Sequence, residues 1–334
     1  MEGGDTMADA KTNNSFLEVK DLEVIYTQNK KIVQAVNGVS FTLEKGQTLA
    51  LVGETGAGKT TIARAILGIL PNPPAKLLGG EIKLDGEDLT KYSEEQMLKV
   101  RGDKIAMIFQ DPMTALNPLQ TVGEQITEGL LLHNDYSHEQ ARKRAEEMLE
   151  LVGIPGGRYG EYPFEFSGGM KQRVVIAMAL ACNPDLLLAD EPTTALDVTI
   201  QAQVLDLIKD LREKYNTSMI LITHDLGVVA QTSDNVAIVY AGQIIEYGNK
   251  EEVFIHTSHP YTVGLFDSLP NMNVDSPRLK PIPGSMPDPT DLPKGCKFAP
   301  RCPRATDECR QGEIPMTNLG GTHMVRCLKA RAEE

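Results

Sequence analysis

The sequence GETGAGKT, residues 53–60, matches the pattern G-x-x-x-x-G-K-[ST] at every fixed position. An apolar strand is predicted before it, over Thr48–Val52, and a helix after it, over Thr60–Leu70. Glycines let the backbone N–H groups face phosphates, and the helix N-terminus adds positive potential. Lys59 supplies a charge for the phosphates, and Thr60 supplies a hydroxyl for Mg²⁺. We therefore predict a phosphate-binding loop, formed by Gly53, Glu54, Thr55, Gly56, Ala57, Gly58, Lys59, Thr60 and Thr61.

A second motif, LLLADE over residues 186–191, is an apolar strand that ends in two carboxylates. A carboxylate at the end of a neighbouring strand can hold Mg²⁺, directly or through water. Asp190 is the candidate for that role, and Glu191 is the candidate for polarising an attacking water. A solvated turn is the alternative explanation, and the four apolar residues before the pair argue against it.

A third motif, FSGGMKQR over residues 166–173, lies between these two. Ser167 suits a helix N-cap, and Gly168 and Gly169 would expose N–H groups at the start of a helix, ready for a terminal phosphate. Considered alone, the segment could be an ordinary helix cap. Its position between the other two motifs favours a functional role.

Together the motifs resemble those of ABC-type ATPases, whose usual signature is L-S-G-G-Q, over about residues 16–250. Phe166 and Met170 depart from that signature at its outer positions. The resemblance implies ATP and Mg²⁺ as ligands, catalytic roles for Lys59, Glu191 and His224, and Mg²⁺ contacts from Thr60 and Gln110. It further implies that Tyr26 stacks on adenine, that Gln110 senses Mg²⁺ and the membrane subunit, and that Ala195-Leu196-Asp197 forms a dimer contact.

The same resemblance implies several partners. In the family, Ser167 and Gly169 of one chain close the nucleotide site of another, so a second ABC ATPase is expected. A related second chain is preferred to an identical one. Two membrane-spanning permease subunits are also expected, with an extracytoplasmic solute-binding protein acting indirectly.

Alternation of apolar strands with helical segments predicts an α/β fold. In the terms of the resemblance it is a P-loop NTPase (RecA-like) core, with an antiparallel β subdomain and a helical insertion over about 112–168. Residues 1–15 are expected to be a disordered leader or tag, 16–255 the ATPase domain, and 256–334 an extension with a Pro-rich linker.

Composition narrows the function classes. The 334 residues carry 46 acidic and 33 basic side chains, a formal charge of −13, which argues against a nucleic-acid partner. No apolar run is long enough to span a membrane, and the N-terminus lacks the apolar core of a secretory signal. We therefore expect a protein of the cytoplasm, bound peripherally to the cytoplasmic face of the cell membrane through its partners.

Four cysteines cluster near the C-terminus with the spacing Cys296-x5-Cys302-x6-Cys309-x17-Cys327. Four thiolates suit zinc or an iron–sulfur cluster, whereas a reducing compartment disfavours disulfides. The irregular spacing and the Cys302-Pro303 step favour iron–sulfur. The segment resembles the C-terminal extension of oligopeptide and dipeptide importer ATPases, some of which hold a [4Fe–4S] cluster at these cysteines. A [4Fe–4S] cluster is thus expected before zinc or a module without metal, with His323 not a ligand and little core within the module.

The leading hypothesis is therefore the motor of a di- or oligopeptide importer. The alternatives are an importer motor for another solute such as nickel, or a soluble ABC ATPase without a transport role. A chromosome-maintenance ATPase would need long arms and a basic groove, and a translation-linked one would carry two nucleotide domains. A small-molecule kinase would leave Ser167-Gly168-Gly169 without a purpose.

Overall fold

The computed structural model describes residues 15–193, 197–268 and 281–330. The predicted leader, apart from Ser15, and most of the Pro-rich linker lie outside these ranges. The strands are β1 (Leu17–Gln28), β2 (Lys31–Leu43), β3 (Thr48–Val52), β4 (Ala75–Leu84), β5 (Glu87–Asp88), β6 (Ile105–Ile108), β7 (Leu186–Asp190), β8 (Ser218–Thr223), β9 (Asn235–Tyr240), β10 (Gln243–Asn249), β11 (Thr317–Gly320) and β12 (His323–Val325). The α-helices are α1 (Lys59–Ile66), α2 (Glu94–Val100), α3 (Pro112–Ala115), α4 (Val122–His133), α5 (His138–Leu151), α6 (Gly168–Leu180), α7 (Val198–Tyr215), α8 (Leu226–Thr232), α9 (Lys250–Ile255) and α10 (Pro260–Asp267).

The larger sheet positions the motifs. Its strand order is β11-β12-β10-β9-β3-β8-β7-β6, and the five strands from β9 to β6 run parallel. Every residue of β3, β7 and β8 is buried, as expected for parallel strands covered by helices on both faces. Because parallel strands end at one edge, the loops after β3, β6, β7 and β8 all meet there.

A smaller antiparallel sheet packs beside the first, in the order β2-β1-β4-β5. Short strands around Phe16–Val19 and Val39–Leu43 were predicted, separated by turns, but the structure has one long hairpin. Asn29 and Lys30 form its turn with φ of 49° and 65°, the left-handed pair that a two-residue hairpin needs. The predicted Asp-Gly hairpin at residues 79–89 is confirmed by the pairing of β4 with β5.

The helical segment from α3 to α6 has its own core, continuous with one face of the larger sheet. Helix α5 starts at a capping box, in which Ser137 and Gln140 satisfy each other's backbone N–H groups. Ala141, Ala145, Met148 and Leu149 then form its buried face.

The C-terminal segment continues the larger sheet. Strand β12 pairs with β10, matching Val325 with Glu246. Phe298 is 2% exposed and packs edge-on against Tyr240 of β9. The segment was expected to build little core of its own, and its apolar residues instead complete the core of the ATPase domain. Among the described residues, no helix has the length and apolar character required to cross a membrane.

Candidate nucleotide site

The loop between β3 and α1 adopts a shape that requires its outer glycines. A Cβ at Gly53 would lie 2.1 Å from the Val239 carbonyl oxygen, and one at Gly58, whose φ is 104°, 2.4 Å from that of Ala35. Helix α1 begins at Lys59, directly after the loop. The loop is thus a tight turn that leads into a helix N-terminus, which is the arrangement predicted for phosphate binding.

Lys59 and Thr60 point into the site. The Lys59 ammonium is buried and donates to the carbonyl oxygens of Gly53 and Glu54, at 2.6 and 3.1 Å. Burial lowers its pKa, partly offset by the acidic groups of Glu191, Asp190 and Glu54. The Thr60 hydroxyl donates to an Asp190 carboxylate oxygen at 3.1 Å. A hydroxyl and a carboxylate are therefore in contact where Mg²⁺ ligands were predicted.

Glu191 follows the end of β7 and lies between two of the predicted residues. Its carboxylate accepts a hydrogen bond from the Gln110 amide at 3.0 Å and lies 3.4 Å from Nδ1 of His224. Gln110 lies two residues after β6 and His224 directly after β8. The edge of the parallel sheet thus joins three side chains that are far apart in sequence. Asp190, at the end of β7, is 3% exposed, and burial raises the pKa of its carboxyl.

Tyr26 lies at the other side of the loop. Its ring is half-buried against the core of the antiparallel sheet, and its hydroxyl is 3.3 Å from that of Thr61 on α1. The structure therefore brings Tyr26 to the first turn of the loop's helix. Adenine stacking on this ring stays a prediction.

The Ser167–Gly169 segment occupies an exposed helix start. Ser167 caps α6 by accepting from the Met170 N–H at 3.4 Å, and both Ser167 and Gly168 are exposed. Gly169 packs closely on α7, since a Cβ there would lie 2.9 Å from a methyl group of Ile200. The start of α6 is thus exposed at Ser167 and Gly168. Ala195 and Leu196 lie outside the described residues, while Asp197 caps α7.

Two residues at the phosphate loop were missed by sequence reasoning. Glu54 was predicted to bind the nucleotide, but its carboxylate pairs with Arg301, at 2.9 and 3.1 Å, and its N–H donates to the Tyr261 hydroxyl at 3.0 Å. Arg301 and Tyr261 belong to the C-terminal segment, far along the chain. Arg301 directly precedes Cys302, in the segment that resembles the importer extension.

The four C-terminal cysteines line one small cavity. Cys296, Cys302, Cys309 and Cys327 surround it, with the apolar side chains of Phe298, Ala299, Ile314 and Leu328. All four cysteines are free thiols. Within the described ranges, however, no three His, Cys, Asp or Glu side chains are arranged to hold a metal ion. His323 contacts buried Glu246 at 2.9 Å. The donor set at the cavity is four thiols, the ligand type that iron–sulfur clusters use.

Fold and site together define an ATP-binding cassette, for which ATP and Mg²⁺ are the expected ligands. The ABC transporter family profile matches residues 36–194, and the profile of the oligopeptide/dipeptide transporter C-terminal region matches residues 245–309. The chain belongs to the ABC transporter ATPase family, among the ATP-binding proteins of oligopeptide and dipeptide transporters.

The individual relatives are similar over almost their whole length. The oligopeptide transport ATP-binding protein OppD of Bacillus subtilis is 54% identical over 93% of this chain and 88% of its own. The dipeptide transport ATP-binding protein DppD of the same organism is 51% identical over 93% of each chain. Among solved structures, the dimeric cassette MJ0796 bound to ADP and Pi has a TM-score of 0.64 at 29% identity, covering 70% of this chain and 98% of that one. The predicted fold class is thereby confirmed.

Proposed function

We propose that the chain is the ATP-hydrolysing motor of an importer for di- or oligopeptides. The observation that carries this proposal is the convergence of Lys59, Asp190 and Glu191 beside the phosphate loop, in a chain that also carries the transporter-specific C-terminal region. The named activities of the relatives, oligopeptide and dipeptide transport, suggest the solute class, and the site supplies the chemistry.

Hydrolysis in this site is mainly positioning and charge neutralisation. Lys59 and the loop N–H groups hold the phosphates, and Glu191 orients water for attack and accepts its proton. His224 and Gln110 hold the Glu191 carboxylate from both sides, at 3.4 and 3.0 Å. Thr60, with Gln110 and Asp190, would hold Mg²⁺, which supplies positive charge against the phosphate oxygens when bound.

The complete site needs a second cassette. Ser167 and Gly168 are exposed, so the N–H groups at the start of α6 are available to a phosphate held by another chain. The dimeric form of the structural relative MJ0796 supports this arrangement. We propose that this partner is a related second ATPase rather than an identical chain.

A groove beside Gln110 suits the membrane subunits. It is lined by apolar side chains that include Leu67, Phe109, Val175 and Met178, and also by Arg101. Phe109 directly precedes Gln110, so a helix docked there would contact the segment that leads into the ATP site. An exposed apolar groove of this kind is typical of a protein interface. Through it the chain would lie peripherally at the cytoplasmic face of the cell membrane.

The cysteine cavity is proposed to hold a [4Fe–4S] cluster through Cys296, Cys302, Cys309 and Cys327. The cluster would cross-link the loops of the C-terminal segment, since metal binding and folding are coupled in small modules. Anaerobically purified protein should absorb in the visible blue and contain iron and sulfide. Cys309→Ser should remove the absorbance, while Cys182→Ser, outside the cavity, should not. Iron-free protein with stoichiometric zinc would contradict the proposal.

The transport function is tested by reconstitution. The chain is assembled with its permease subunits and companion ATPase in proteoliposomes, together with the solute-binding protein. Labelled di- and oligopeptides should be taken up only when ATP is present on the cassette side, and Lys59→Ala should abolish the uptake. Nickel uptake without peptide uptake would contradict the proposed solute class.

A further inference from the structure

The C-terminal segment is in direct contact with the phosphate loop. Arg301 reaches both carboxylate oxygens of Glu54, and the Tyr261 hydroxyl accepts the Glu54 N–H. A third contact lies at Gly56, where a Cβ would be 3.2 Å from the terminal methyl of Met286. The loop that holds the phosphates is therefore supported from behind by residues more than 200 positions further along the chain.

Arg301 is fixed in place by its surroundings. Its side chain is 6% exposed, against 30% for Glu54. Its Nε donates to the Pro283 carbonyl at 2.9 Å, and its guanidinium lies 5.8 Å from the ring centroids of Tyr240 and Phe298. A two-point guanidinium–carboxylate pair also fixes orientation, which a lysine could not reproduce. The guanidinium thus holds Glu54 from one defined direction.

The charge on Glu54 makes this contact relevant to nucleotide binding. A carboxylate within a phosphate-binding loop repels the phosphates unless a cation neutralises it. Within the described part of the chain, Arg301 forms an ion pair with this carboxylate. Without Arg301, the loop would keep a free negative charge and lose the brace that fixes its second residue.

We propose that Arg301 is a positioning residue of the ATP site, which neutralises Glu54 and fixes the phosphate loop from the C-terminal segment. The proposal rests on the ATP-binding function proposed above. It gives the segment that carries the cysteines a role in nucleotide affinity, because Arg301 directly precedes Cys302.

The test compares variants of the two partners in the full chain, with a fluorescent ATP analogue and steady-state ATPase kinetics. Arg301→Gln should weaken nucleotide binding and raise KM by about tenfold, with kcat at saturation changed less than about threefold. Glu54→Gln should weaken nucleotide binding less than Arg301→Gln does, because it removes the repelling charge together with the ion pair. The double variant should bind better than Arg301→Gln alone. Arg301→Lys, which keeps the charge, should give an intermediate affinity.

Two controls separate this proposal from a general loss of structure. Both single variants lose the same ion pair, so a merely structural role predicts equal weakening by each, and that result would overturn the proposal. Arg310→Gln, an exposed arginine of the same segment, should bind like wild type. Failure of the folded wild-type chain to bind the analogue would instead count against the proposed function. If Arg301→Gln does not fold, the nucleotide affinity of Arg301→Lys tests the proposal. Wild-type affinity in Arg301→Lys would contradict the need for a bidentate contact.

Discussion

Glu191 has a backbone conformation that is rare for its residue type. Its φ is 46°, and its N–H donates to the Ile222 carbonyl of the neighbouring strand at 2.8 Å. Non-glycine residues in this region cost on the order of 1 kcal/mol or more, and they cluster at functional sites. The turn places the carboxylate between Gln110 and His224. The strained backbone is therefore that of Glu191, the residue proposed to activate water.

Glu191→Gln should separate binding from turnover. The amide keeps the size of the side chain but cannot accept the proton of water, so ATP should bind normally while the rate of phosphate release falls by at least about 100-fold. Nucleotide titration and a phosphate-release assay on the same preparation measure the two effects. Wild-type turnover in this variant would remove Glu191 from the catalytic step.

Asp190→Asn should stabilise the nucleotide-free chain. Burial raises the pKa of Asp190, with a further rise from Glu191 and an opposing effect of the Thr60 hydrogen bond, so the folded chain binds this proton more readily than the unfolded chain. The wild type therefore loses stability as pH rises from the ordinary carboxyl range to the raised pKa. The variant lacks this loss and should therefore have a higher free energy of unfolding than the wild type near neutral pH.

Denaturant unfolding at about pH 4.5 and about pH 7.5 checks this expectation, with a smaller gain at the lower pH. A gain that is equal at both values would assign the effect to something other than ionisation. Mg²⁺-dependent nucleotide binding should be weaker in the same variant, because a predicted magnesium ligand is lost.

At the scale of single residues, the chemistry-bearing groups were predictable where they lie in short contiguous motifs. Lys59, Asp190 and Ser167 are identified by neighbours within a few positions, so local pattern was enough. The Arg301–Glu54 pair could not be predicted in this way, because the two residues are 247 positions apart. No local sequence pattern at either residue indicates contact with the other.

At the scale of elements, the parallel strands position most of the candidate site residues. In register, Val52 lies opposite Thr223, Asp190 opposite Ile222, and Ile108 opposite Ala189. The strands were predicted from their apolar runs, with bounds close to those observed. The pairing of β10 with β12 was not predicted, because β12 has only three residues and its partner strand lies about 80 residues earlier in the chain.

Phe298→Ala should destabilise the whole ATPase domain. Phe298 contacts Tyr240 and Tyr261 with ring centroids 5.4 Å apart in each pair, so its removal leaves a cavity beside the central sheet. The expected loss is about 3–5 kcal/mol in the free energy of unfolding. Thermal unfolding followed by calorimetry should show one transition at lower temperature. An unchanged main transition would mean that the C-terminal segment folds apart from the cassette.

At the scale of the whole molecule, we propose that the chain carries two halves of a nucleotide site, one at the phosphate loop and one at the start of α6. The phosphate loop and Glu191 lie at the edge of the parallel sheet, and the exposed start of α6 presents Ser167 outward. The groove near Phe109 is the surface that we propose for a membrane subunit. We infer that ATP joins two cassettes and that hydrolysis releases them, with α6 and the helices around it moving as one arm.

The most direct measurement is the rate of phosphate release from Mg²⁺-ATP by the assembled pair of this chain and its companion ATPase. We predict saturable release that is lost with Lys59→Ala, and lost as well when Ser167→Arg blocks the start of α6, although this second variant still binds nucleotide. If the folded wild-type pair neither binds nor hydrolyses ATP, or if Ser167→Arg hydrolyses it at the wild-type rate, the two-half-site mechanism is contradicted.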